Sequence, residues 1–185
     1  FADVQYRYVK YQANSYEFDD VNDAFSFVNP KVGVNYQYNT KNTFYGFAGI
    51  GNKEPRRSDY EDEKIKPERL YDFELGWKHN NKAIRLSANG YFMYYINQLV
   101  MTGALDNSGG PIFTNSGESY RLGLEIEAVA KITNWFNFQA NATLSQNKNV
   151  DFYFQRDGEL RNLGNTNIAF SPNLISASAL NFLPV

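Results

Sequence analysis

The sequence predicts an all-β protein: an antiparallel, up-and-down sheet of about eight strands, laid out as a segment of a transmembrane β-barrel with short periplasmic turns and long extracellular loops. Three observations predict it. Apolar residues recur with period 2 rather than 3.6. Charged residues fall almost wholly on one parity of the strands. The connections alternate between short and long.

The elements follow in order. In Phe1 to Ala13 one parity reads Val4, Tyr6, Tyr8 and the other Asp3, Gln5, Arg7. From Lys31, the residues Val32, Val34, Tyr36 and Tyr38 stand against Lys31, Asn35 and Gln37. Leu70 to His79 sets Tyr71, Phe73, Leu75 and Trp77 opposite Asp72, Glu74 and Lys78. Ile84 to Gln98 sets Ile84, Leu86, Ala88, Phe92, Tyr94 and Ile96 opposite Arg85, Ser87 and Asn89. Tyr120 to Ile132 places Leu122, Leu124, Ile126, Ala128 and Ala130 against Arg121, Glu125, Glu127 and Lys131. Phe136 to Ser145 places Phe138, Ala140, Ala142 and Leu144 against Asn137, Gln139, Asn141 and Thr143. Two more segments, Thr43 to Gly51 and Asn167 to Phe182, read as strands of ambiguous phase. Short connections are expected near Asn39 to Asn42, Asn80 to Lys82 and Thr133 to Asn134. Long ones are expected near Asn14 to Ser26, Asn52 to Glu68, Val100 to Glu118 and Lys148 to Thr166.

Across the six clear segments the apolar parity carries no charge except Lys10 at a strand end. The other parity carries Asp3, Arg7, Lys31, Asp72, Glu74, Lys78, Arg85, Arg121, Glu125, Glu127 and Lys131. Period 2 alone does not say whether an apolar face meets lipid or a second sheet, so a soluble β-sandwich that binds carbohydrate through surface Tyr and Trp stays open. Strand length favours lipid, because tilted membrane strands run about 9 to 11 residues and soluble ones about five or six. So does the placement of Tyr8, Tyr36, Tyr38, Trp77, Tyr94, Tyr120 and Phe136 near the ends of their apolar faces, where an aromatic girdle would meet headgroups. A complete eight-stranded barrel is the alternative within membranes.

Composition excludes several function classes. The 185 residues hold no Cys and one His, so thiol chemistry, Cys-ligated metal and multi-His sites are not expected. Net charge is −2 and no basic run exceeds two residues, which gives no footprint for nucleic acid. Mean hydropathy is −0.53. The longest uncharged stretch, Leu86 to Leu105, has the length of a spanning helix, but Ser87, Asn89, Asn97 and Gln98 would carry polar groups into hydrocarbon. No signal peptide is expected within the chain, which opens at Phe1 without a basic region followed by an apolar core. His79 reads as a solvated turn residue. Glu125 and Glu127 could be a catalytic pair, yet i, i+2 spacing on one face is what any polar sheet surface produces, so no enzyme activity and no cofactor are expected.

Longer strings carry more than periodicity. Asn29-Pro-Lys-Val-Gly-Val-Asn-Tyr36, Phe44-Tyr-Gly-Phe-Ala-Gly-Ile-Gly-Asn-Lys-Glu-Pro-Arg-Arg57 and Lys66-Pro-Glu-Arg-Leu-Tyr-Asp-Phe-Glu-Leu-Gly76 resemble the middle barrel strands of TonB-dependent outer-membrane receptors. Tyr94-Tyr-Ile-Asn-Gln-Leu-Val100, Thr114-Asn-Ser-Gly-Glu-Ser-Tyr-Arg-Leu-Gly-Leu-Glu125 and Ala169-Phe-Ser-Pro172 continue the resemblance in order. It implies that residues 1–185 are a partial barrel domain without the plug. The whole protein would be a barrel of about 22 strands around a plug, in the outer membrane of a Gram-negative bacterium. It would import a scarce small-molecule ligand, an iron-siderophore first, with cobalamin or a glycan as others. The energy would come through the TonB complex. The implied partners are outer-membrane lipid, the plug domain and the TonB complex. Glu54 and Arg57, from the Glu-Pro-x-Arg string, would face the lumen and the plug. So would Glu68, Asp72, Glu74, Arg121 and Glu125. No residue is assigned to ligand, and the resemblance implies early strands, a plug and a terminal aromatic-ended strand outside these residues.

Overall fold

The computed structural model describes residues 1–13, 21–55, 65–105, 109–150, 153–156, 159–162 and 166–167. Their order is β1 (Ala2–Ala13), β2 (Val21–Gln37), β3 (Asn42–Lys53), β4 (Glu68–Asn80), β5 (Ile84–Leu105), β6 (Pro111–Lys131), β7 (Asn137–Asn149), β8 (Tyr153–Arg156), β9 (Glu159–Asn162) and β10 (Thr166–Asn167). Seven long strands and the two-residue β10 form one sheet in the order β1-β2-β3-β4-β5-β6-β7-β10, every pair antiparallel. β8 and β9 make a separate hairpin. The sheet is open among the described residues: no ladder joins β1 to β10.

Register fixes which side chains share a face, because partners in a ladder point the same way. One row runs Val34, Gly46, Leu75, Gly90, Leu124, Leu144 across six strands. The next row in one direction is Tyr36, Phe44, Trp77, Ala88, Ile126, Ala142, and in the other Val32, Ala48, Phe73, Phe92, Leu122, Gln146. The alternate rows carry the charges, such as Asp3, Lys31, Gly49, Asp72, Met93, Arg121, Asn147. All six clear segments thus fall in one phase, and the ambiguous third strand joins it, with Phe44, Ala48 and Ile50 on the apolar face.

Among the described residues no second sheet covers the apolar face. Leu75 is 73%, Leu144 68% and Val34 63% exposed, and among the described residues twenty-three large hydrophobic residues are exposed against three, Phe27, Ile65 and Tyr95, that are buried. A β-sandwich would hide such a face in a core about 10 Å thick. The outward set of β5, from Ile84 through Leu86, Ala88, Gly90, Phe92 and Tyr94 to Ile96, covers about 40 Å along the strand, or about 28 Å at a tilt near 45°. That matches the height of an apolar membrane band.

The connections correct the expected layout in part. The three short turns are present and share one device. Asn39 Oδ1 accepts from the backbone N–H of Lys41 and Asn42, both at 2.9 Å. Asn81 Oδ1 accepts from Ala83 and Ile84 at 2.9 and 2.8 Å, and Thr133 Oγ1 from Trp135 and Phe136 at 3.3 and 2.9 Å. A side-chain oxygen caps the turn each time, leaving few backbone donors unpaired.

The opposite end holds less loop than expected. The Asn14 to Ser26 loop contracts, since β2 starts at Val21 and pairs it with Ala13. The Val100 to Glu118 loop is largely ladder: β5 and β6 stay paired to Leu105 and Pro111. Likewise the Lys148 to Thr166 loop contains the β8–β9 hairpin. The expected last strand, Asn167 to Phe182, lies outside the described residues apart from Asn167 in β10.

The single phase expected through Gln98 also fails at its end. Asn97 has φ of 54° opposite Gly117 with φ of 21°, conformations that Asn and Gly tolerate best. Gln98 therefore does not continue the apolar face. It is buried and accepts at 2.6 Å from Ser119 Oγ, whose neighbour in the ladder is Tyr95 of the polar face. Beyond this twist the β5–β6 ribbon is tied to the segment before β4, with Lys66 N donating to Asn115 Oδ1 at 2.7 Å and Asn115 Nδ2 to Lys66 O at 3.0 Å.

Candidate functional site

The polar face is where sequence reasoning placed its site residues. β4 supplies Asp72 and Glu74, two residues apart on one face, and β6 supplies Arg121 and Glu125. The register brings them together. Asp72, Met93, Arg121 and Asn147 form one row, and Glu74, Tyr91, Gly123 and Ser145 the next. A third row holds Gly76, Asn89, Glu125 and Thr143. Glu74, Arg121 and Glu125 line an open depression of about 480 Å³ with Asn89, Tyr91 and Met93. Asp72 lies at its edge, and its Oδ1 is buried without a hydrogen-bond partner. Arg121 stacks on Tyr95 with its guanidinium 4.9 Å from the ring centroid.

Glu68 and Glu54 sit apart, at the long-connection end. Glu68 Oε2 accepts from Leu99 N at 3.1 Å, which fastens the start of β4 to the β5 extension. Glu54 forms an ion pair with Arg7, whose guanidinium also donates to Asn52 O at 3.1 Å and lies 5.3 Å from the centre of the Phe27 ring. Phe27 is buried and stacks on Phe25 at 5.9 Å. The partner of Glu54 in the structure is thus an arginine of β1, which the strand pattern placed on the polar face without linking it to Glu54. Arg57 lies outside the described residues.

Two further features of this face were not foreseen as site features. Tyr45 lies across Gly76 and Tyr91 across Gly123, each directly opposite its glycine in the ladder. A Cβ on Gly76 would stand 2.1 Å from Tyr45 Cζ, and one on Gly123 2.4 Å from Tyr91 Cζ. Tyr45 is then fixed by its hydroxyl, which donates to Asn89 Oδ1 at 2.9 Å, and by Lys78 Nζ 5.1 Å from its ring centre. Aromatic cover of a cross-strand glycine restores the packing that glycine gives up. The signal in the sequence is a glycine on the polar parity facing an aromatic, which only a known register can expose.

His79 is no lone turn residue. Its Nδ1 lies 2.9 Å from Asn42 Oδ1 and its Nε2 3.0 Å from Asn81 Nδ2, so the network assigns the proton to Nδ1. Trp77 Nε1 donates to the same Asn42 oxygen at 3.2 Å. Among the described residues no cluster of His, Cys, Asp and Glu could hold a metal ion.

An open antiparallel sheet with one largely apolar face whose charges, Arg69, Glu118 and Lys148, stand at one rim, one charged face and capped turns at one end is the geometry of a large membrane barrel in part. A family model described as TonB dependent receptor-like, beta-barrel, matches residues 2–184. The chain belongs to the TonB-dependent receptor β-barrel family. Its members are receptors and transporters that form outer-membrane barrels in Gram-negative bacteria.

Solved structures agree on the fold. The siderophore receptor PiuA from Acinetobacter baumannii is similar over 87% of this chain and 25% of its own, with 18% identity and a TM-score of 0.61. The FrpB iron transporter from Neisseria meningitidis, F5-1 variant, is similar over 84% and 24%, at 17% identity and a TM-score of 0.63. The copper transporter OprC is similar over 70% and 22%, at 17% identity and a TM-score of 0.61. The chain spans about a quarter of the length of these structures. A search of curated proteins gave no match.

Proposed function

We propose that residues 1–185 are part of the barrel of an outer-membrane receptor that takes up a scarce small-molecule ligand in a TonB-dependent manner, with an iron-siderophore as the first candidate. One observation carries this reading: across β2 to β7 the apolar face bears no charged residue from the row of Ile84 to that of Phe92, its first charges, Lys148, Arg69 and Glu118, stand at one rim in the rows of Tyr94 and Ile96, and no second sheet of the described residues packs on it. In it, the apolar face meets outer-membrane lipid and the polar face lines the lumen. Glu54, Arg57, Glu68, Asp72, Glu74, Arg121 and Glu125 then face a plug domain contributed by the rest of the protein. The short turns lie in the periplasm, the β5–β6 ribbon outside the cell, and the TonB complex supplies the energy. The iron-siderophore assignment is supported by two structural neighbours, an iron transporter and a siderophore receptor, while a third is a copper transporter.

The test is growth of a strain lacking its own siderophore receptors, expressing the full-length protein, on ferric siderophore as sole iron source, with and without the TonB complex. Growth only when both are present is expected. Rescue of copper limitation instead, with no iron phenotype, would move the ligand class to copper.

A further inference from the structure

The short-turn end of the sheet is strongly basic. Residues 37–43, 77–87 and 127–138 hold five cations, Lys41, Lys78, Lys82, Arg85 and Lys131, and one carboxylate, Glu127. The whole chain has 18 cations and 20 carboxylates, so this end is opposite in sign to the chain as a whole. Lys78 is engaged by the Tyr45 ring. Lys82, Arg85 and Lys131 are exposed and form no ion pair among the described residues, where the two ion pairs, Arg7–Glu54 and Lys31–Asp3, lie elsewhere in the sheet. These three cations surround an open depression of about 360 Å³ whose walls include Asn80, Asn137 and Gln139.

We infer that this basic recess is a docking site for an acidic stretch of polypeptide that approaches the polar face from the short-turn side. Three unpaired cations around one recess call for several carboxylates. The carboxamides of Asn80, Asn137 and Gln139 offer donors and acceptors alike, which matches the N–H and C=O groups of an extended peptide, whereas a phosphate group could use only the donors. Parity decides against lipid. Arg85 and Lys131 stand on the face opposite Ile84, Leu86, Ala128 and Ala130, so a headgroup alongside the apolar face meets those residues first. The inference rests on reading the apolar face as lipid-facing.

The experiment uses the full-length receptor in detergent micelles and a fluorescent peptide alternating Glu and Ser, with the Gln-Ser peptide as its neutral counterpart. Anisotropy should show the acidic peptide binding at low salt and the neutral one not. Arg85→Gln combined with Lys131→Gln should weaken the acidic peptide by about tenfold or more, while Lys53→Gln at the far end of the sheet leaves it within about twofold. Heat-modifiable gel mobility checks that each variant is folded. Equal binding of the two peptides, or an unchanged affinity in the double variant, overturns the inference. So does unchanged peptide binding with loss of binding to phosphatidylglycerol vesicles, which would assign the patch to lipid. Failure of the membrane reading shows separately, as a receptor that stays monodisperse without detergent.

Discussion

Replacing Gly76 by Ala tests whether the tyrosine–glycine pairs hold the polar wall together. The new methyl would stand 2.1 Å from Tyr45 Cζ, 2.2 Å from Cε1 and 2.4 Å from Oη, so the ring must leave its place. Three contributions go with it. The hydroxyl bond to Asn89, 2.9 Å in the native protein, is worth about 0.5 to 1.5 kcal/mol net. The Lys78 contact, at 5.1 Å from the ring centre, adds about 0.5 to 1 kcal/mol at an exposed site. Uncovering roughly 50 Å² of ring and backbone costs about 1 kcal/mol more. Against these, alanine restricts the unfolded chain and returns about 0.4 to 1 kcal/mol. The net expectation is a loss of about 1 to 3 kcal/mol. The assay is reversible denaturant unfolding of the full-length barrel in lipid vesicles, followed by tryptophan fluorescence. Gly51→Ala is the control, because a Cβ there meets nothing within 4 Å and should leave stability unchanged or slightly raised. If Gly76→Ala and Gly51→Ala behaved alike, the ring would not be packed on the glycine and the reasoning would fail. A cycle with Tyr45→Ala sharpens the point, since the second substitution should cost little once the ring is already displaced.

Other perturbations separate the two faces and the two ends. Leu124→Lys, on the apolar row between Gly90 and Leu144, should cost about 2 to 4 kcal/mol in bilayer-based unfolding if it lies near the midplane, whereas Glu125→Lys on the next parity should cost far less. Arg7→Ala removes the partner of Glu54 and its contact with Phe27; limited proteolysis between residues 53 and 68 should accelerate relative to native protein. Asn81→Ala deletes the oxygen that caps the β4–β5 turn and the amide that meets His79. A loss of about 1 to 2 kcal/mol is expected, and Asn81→Asp, which keeps the oxygen, should recover part of it in the same unfolding assay.

What the sequence could reveal follows from where the environment changes abruptly. On the proposed membrane reading every strand is wet on one side and oily on the other, so parity records the phase directly, and six strands from Val4 to Leu144 were legible that way. The third strand was not, because Tyr45 and Phe47 put aromatic side chains on the wet face while Gly46 and Gly49 removed side chains from both. Their pattern makes sense only once Gly76 and Asn89 are known to be neighbours. The charged wall was likewise legible as a set, since Asp72, Glu74, Arg121 and Glu125 share a parity. Who pairs with whom was not, because pairing depends on register between strands distant in sequence, as Arg7 and Glu54 illustrate.

The β5–β6 ribbon shows the same principle from the other side. Beyond Asn97 the chain reads Leu99, Val100, Met101, then Leu105, a run without alternation, and it was expected to be loop. It is a ladder nonetheless, paired through Met101 and Phe113 and again at Leu105 and Pro111. Backbone hydrogen bonds make a strand whatever its side chains face; a difference between its two sides is what makes a strand readable. On the proposed membrane reading, loss of alternation marks where the ribbon leaves the oil–water boundary, at the point where Asn97 and Gly117 turn the backbone and Gln98 swings onto the polar side. Where parity fails in such a chain, the inference to draw is a strand above the membrane as readily as a loop.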